Sequence, residues 1–94
     1  MTGERRNGRR QPRLLALVLS GTADRSIRFE ELRRLLLALG FEERIRGSHH
    51  IYTHAGIAEI INIQPREGGL AKPYQVRQVR HVIVQYKLAG AEGQ

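Results

Sequence analysis

The 94-residue chain predicts an α+β fold of two layers, three antiparallel strands with helices on one face. Three observations lead there. Apolar residues recur every three or four positions in Phe29, Leu32, Leu35, Leu36 and Leu39, and again in Val76, Val79, Ile83 and Tyr86, as on a half-buried helix. Between these stretches the period drops to two, with short runs of β-formers separated by glycine turns. The chain is also too short for a second domain, so the sheet must be covered by the chain's own helices.

Taken in order, residues 1–11 have no apolar period and are rich in Gly, Asn and Arg, which predicts a disordered basic tail. Pro12 suits a first helical turn, and Leu14, Leu15, Val18 and Leu19 share one face up to the stop at Ser20-Gly21. The second helix begins at Phe29, carries Glu30 and Glu31 in its first turn and ends at Gly40, in keeping with helix polarity and a glycine cap. Phe41 to Arg46, His49 to His54 and Glu59 to Gln64 then read as three strands joined by turns at Gly47-Ser48 and Ala55-Gly56. After Pro65 and the loop Glu67-Gly68-Gly69, Lys72-Pro73 opens the last helix. The expected order is α-α-β-β-β-α, with the domain over residues 12–88 and a flexible tail over 89–94.

Composition narrows the function classes. There is no cysteine, which excludes a disulfide scaffold, a thiolate metal site and a cysteine nucleophile. The longest apolar run, Leu14 to Leu19, is far short of a membrane span, and the expectation is a soluble cytoplasmic protein with no membrane partner. Of the net charge of +7, residues 1–13 supply +4 through five arginines and one glutamate, leaving +3 for the other 81 residues. A basic tail raises affinity for polyanions by counterion release, although a solvated terminus has the same composition.

Chemically capable side chains are densest between Arg44 and His54, where three of the four histidines lie. Adjacent His49 and His50 point to opposite faces of a strand, and no carboxylate accompanies them within the segment, so a metal is not expected. Acid–base work suits a histidine better, because it titrates near neutral pH. RNA is a fitting substrate, since its own 2′-hydroxyl is the nucleophile. Arg44, Arg46 and Lys72 are candidate cations, and the Gly47-Ser48 backbone can approach a phosphate. The same histidines are also compatible with one buried core residue and one exposed bystander. The pairs Glu30-Glu31 and Glu42-Glu43 read as solvated charges, as does the helix stripe Arg77, Arg80, His81 and Lys87 in its plainest reading. No phosphate loop, dinucleotide fingerprint or nucleophile elbow is present.

A strand carrying Gly47-Ser48-His49-His50-Ile51-Tyr52, a strand ending at Pro65, and Lys72-Pro73-Tyr74-Gln75-Val76-Arg77-Gln78-Val79-Arg80 opening a helix together resemble the HicA toxins, the toxic partners in HicA–HicB toxin–antitoxin modules. The likeness covers roughly residues 29 to 88. It implies a fold similar to the double-stranded-RNA-binding domain, metal-free ribonuclease activity on mRNA without a cofactor, and a HicB-like antitoxin partner. The functional histidine of the family matches His49, or His50 in members where it falls one position later. If Ile51 faces the helices, His50 is the open residue; if Tyr52 does, His49 is. We expect His49, because the turn at Gly47-Ser48 leaves it accessible at the strand edge. Many members carry a second histidine after the proline, where this chain has Arg66 and Glu67; an arginine can hold phosphate but does not donate a proton near neutral pH.

The expected function is thus an mRNA interferase, with His49 or His50 as catalytic base and Arg44, Arg46, Ser48, Arg66, Lys72, Arg77 and Arg80 as RNA contacts. A noncatalytic RNA-binding module and a protein-binding adaptor are the alternatives.

Overall fold

Changes of period in the sequence become element boundaries in the computed structural model, which describes residues 11–93, with side chains through Gly90. The order is α1 (Pro12–Ser20), α2 (Phe29–Ala38), β1 (Glu42–Arg46), β2 (His49–His54), β3 (Ile57–Ile63), a 3₁₀ turn (Glu67–Gly69), α3 (Pro73–Gln85) and α4 (Leu88–Gly93). The basic tail expected over residues 1–11 lies, apart from Gln11, outside the described residues. The other end is helical as far as Gly93. Lys87 turns the chain at φ +56°, Leu88 is buried against the core, and α4 occupies most of the segment 89–94.

Helix α2 shows why the local sequence sets its ends. The Arg28 backbone N–H donates to Glu31 Oε1 at 2.9 Å, satisfying a donor at the N-terminus. At the other end the N–H of Gly40 reaches Leu37 O and that of Phe41 reaches Leu36 O, both at 3.1 Å. Gly40 sits at φ +95°, the left-handed geometry this terminator requires.

The three strands form one antiparallel sheet in the order β1-β2-β3. Register pairs Glu43 with Tyr52, Ile45 with His50 and Arg46 with His49; on the other side it pairs His50 with Ile63 and Tyr52 with Ile61. Tyr52, Ile61 and Ile63 have no exposed surface, so their face is the one packed on the helices. The opposite face is open and carries Arg44, Arg46, His49, Ile51 and Asn62. The core joins these strand residues to Leu32, Leu35 and Leu36 of α2 and Val76, Val79, Val82 and Ile83 of α3. Helix α1 adds Leu14, Leu15 and Val18 to the same core.

Helix α1 is also fixed by an arginine. Arg80 on α3 donates to both carboxylate oxygens of Asp24, at 2.9 and 3.1 Å, and to the carbonyl of Val18 at 3.0 Å. It thereby places a cation at the C-terminal end of α1, where the helix dipole and free carbonyls favour one. Arg80→Met is expected to lower stability by about 2 kcal/mol, because it strands a largely buried carboxylate and a helix carbonyl. A urea midpoint unchanged from wild type would show that α1 is held by its apolar face alone.

Candidate active site

The β1–β2 connection is a two-residue turn, Gly47-Ser48, with Gly47 at φ +59°. Glycine at the first central position is what a type II′ hairpin turn demands, and this turn matches the twist of the flanking strands. It delivers His49 to the start of β2, directly across from Arg46 and on the open face. His49 is exposed, and its Nδ1 lies 3.2 Å from Asn62 Oδ1 on the neighbouring strand. An amide oxygen only accepts, so Nδ1 carries the proton in this contact and Nε2 is left as the basic nitrogen.

A second set of polar contacts borders the histidine. Lys72, the residue that caps α3, donates from Nζ to Gln64 Oε1 at 3.5 Å, and Gln64 Nε2 donates to Ser48 Oγ at 3.3 Å. Gln75 is buried beneath, its Nε2 donating to the main-chain carbonyl of Asn62 at 3.4 Å. Asn62, Gln64 and Gln75 were not among the residues singled out from the sequence. The alternation Ile61-Asn62-Ile63-Gln64, apolar inward and polar outward, was the available signal.

His50 occupies a different environment on the helix side. Its ring meets Phe29 edge-on at 4.8 Å, and its Nδ1 is 3.4 Å from Glu43 Oε2. Glu43 also accepts from Arg33 Nε at 2.6 Å, Arg33 Nη2 at 3.0 Å and Tyr52 Oη at 2.5 Å. Burial pushes this carboxyl upward, but the hydrogen bonds from Arg33, Tyr52 and His50 outweigh it and hold its pKa at about 2. The same pair raises Tyr52, through burial first and the neighbouring carboxylate second. Glu43, read from the sequence as a solvated charge, is therefore the centre of a half-buried network that ties α2 to the sheet. His54 is structural as well: its Nδ1 accepts the Gly56 N–H at 3.1 Å, and its ring packs on Phe41.

The predicted RNA contacts divide in two. Arg44 and Arg46 are exposed on the open face and make no ion pair among the described residues, and Ser48 and Lys72 border His49 through Gln64. Arg66 instead donates to the carbonyls of Ala71 and Arg25, both at 3.3 Å, bracing the loops that precede α2 and α3. Arg80 is committed to Asp24 and Val18, and Arg77 lies near enough to Asp24 to help lower its carboxyl, after the hydrogen bond from Arg80. These three are not brought to the His49 face. Among the described residues, no three of His, Asp and Glu gather as a metal site.

The family model described as the HicA toxin of bacterial toxin–antitoxin systems matches residues 29–90, about two thirds of the chain. The chain belongs to the HicA toxin family. The match takes in α2, the whole sheet and α3, and leaves α1 outside it. No curated protein and no solved structure matches the chain. As a HicA family member the protein is a toxin with an antitoxin partner, of a type that generally acts by cleaving RNA. No helix among the described residues is long and apolar enough to cross a membrane.

Proposed function

We propose that this HicA family toxin is a metal-independent mRNA interferase whose general base is His49. The observation that carries the reading is the contact between His49 Nδ1 and Asn62 Oδ1, on an exposed face that also bears Arg44 and Arg46. Asn62 holds one tautomer, so Nε2 is free to take the proton from an RNA 2′-hydroxyl. The 2′-oxygen then attacks the adjacent phosphorus, the bond to the 5′-oxygen breaks, and that oxygen is protonated from solvent. The products are a 2′,3′-cyclic phosphate and a 5′-hydroxyl. Arg46, directly across the strand pair from His49, offsets charge on the phosphate, and Lys72 adds a second cation at the border of the site. A HicB-like antitoxin would silence the toxin by covering this basic open face.

The test is cleavage of single-stranded RNA by antitoxin-free protein in excess chelator, with the new ends analysed by mass spectrometry. Cutting is expected to survive chelation and to leave cyclic phosphate. Loss of cutting on chelation, or a 3′-hydroxyl end, would refute the proposed chemistry. RNA bound but left intact would favour the noncatalytic binding module.

A further inference from the structure

Beside His49, the outer side of β3 and the first turns of α3 border an open cleft of about 310 Å³. Its polar wall is made of His49, Asn62, Gln64, Gln75 and Gln78, and Tyr74 stands at its rim, 57% exposed. Ile60, also largely exposed, is a second apolar wall. Four amides and no carboxylate or cation line this space, so it does not suit a phosphate. The cations of the site, Arg46 and Lys72, lie outside the lining.

The hydrogen-bonding capacity left in the cleft has a definite character. Asn62 spends its oxygen on His49, which leaves its amide N–H groups as donors. Gln64 is occupied by Ser48 and Lys72. The Gln78 side chain has no hydrogen-bond partner among the described residues and offers a donor and an acceptor side by side. Gln75 is 1% exposed, and its Oε1 is buried without a partner, while its Nε2 supports both the Asn62 carbonyl and, at 3.5 Å, the Tyr74 hydroxyl. A flat neutral group with a donor–acceptor edge and a π-face fits such a lining. Unpaired RNA bases are recognised in this way, by stacking on an aromatic ring and by pairing of the base edge with side-chain amides.

We infer that this cleft binds an unpaired nucleobase of one of the two nucleotides flanking the cut phosphate, stacked on Tyr74 and read at its edge by Gln78. The inference deepens the ribonuclease reading, because His49 forms one wall of the cleft and ties the base to the reacting centre. A side-chain amide pairs bidentately with the N6 and N7 atoms of adenine, so adenine is the base expected at that position.

Two readouts separate the cleft from the chemistry. The first is binding of full-length protein to single-stranded RNA oligonucleotides carrying 2′-O-methyl riboses, which lack the nucleophile. Tyr74→Leu is expected to weaken binding about tenfold, as loss of one stacked base does, and Tyr74→Phe to keep it within about twofold. The second is the distribution of cut sites in a randomised RNA pool, where Gln78→Ala is expected to relax base preference at one flanking position only. Both side chains are at least partly exposed, and circular dichroism will show whether each variant keeps the fold. If wild type cuts RNA and Tyr74→Leu matches it in affinity and cut sites, the base cleft is refuted and the ribonuclease stands. If wild type binds without cutting and Tyr74→Leu loses affinity, the cleft stands and the ribonuclease falls. If wild type does not bind the oligonucleotides at all, the cleft is refuted outright.

Discussion

His49→Ala is expected to slow RNA cleavage by about a hundredfold to ten-thousandfold, the range associated with losing a positioned general base. His50→Ala is expected to leave the rate within a few fold and instead to cost stability, on the order of 1 kcal/mol, through lost packing on Phe29 and a lost contact to Glu43. The contrast follows from strand parity. Tyr52 is buried against the helices, and His50, two residues away, shares its side, while His49 is exposed on the other. Single-turnover cleavage at saturating protein, measured beside urea melts of both variants, separates the two effects. A His50→Ala protein that is stable but inactive, next to an active His49→Ala protein, would overturn the assignment.

Much of this arrangement is legible in the sequence. The spacing of Phe29 to Leu39 marks α2, the glycine at 40 marks its end, and the strand–turn–strand alternation marks the hairpin that carries His49. The face on which each histidine would lie was harder, because Ile51 and Tyr52 are both good β-formers with apolar bulk. Either could fill the core, and a one-residue change of facing would exchange His49 for His50. The partner strand breaks the tie: Ile61 and Ile63 must face inward, and register then turns Tyr52 and His50 the same way. Charged residues were the least readable. Arg80 finds Asp24 across 56 positions of chain, and Arg66 finds the carbonyl of Arg25 across 41, pairings with no local signature in the sequence. Glu43 is hidden from sequence reading for the same reason. Glu43 looks like any strand-surface charge until α2 folds over it and brings Arg33.

That network sets the second large effect. Glu43→Ala is expected to lower stability at neutral pH by roughly 3 kcal/mol, since it leaves a buried tyrosine hydroxyl without its acceptor and a partly buried guanidinium without its main partner. A pH titration gives an independent reading of the same interaction. Glu43 is held near 2 in the fold against an ordinary value of 4.5, so across that interval the unfolded chain binds the extra proton. Stability from this group is therefore complete above about pH 4.5 and fades as pH falls toward 2, by roughly 3 kcal/mol in total. Asp24, lowered chiefly by its hydrogen bond from Arg80, adds a loss of the same sign in acid. Glu43→Gln keeps the shape of the side chain but cannot titrate. Its stability should fall less steeply than that of wild type between pH 5 and 2.5, with the two curves converging at the acid end. Parallel curves for the two proteins, followed by urea unfolding at each pH, would mean that Glu43 keeps an ordinary pKa and that α2 is held on the sheet by apolar packing alone.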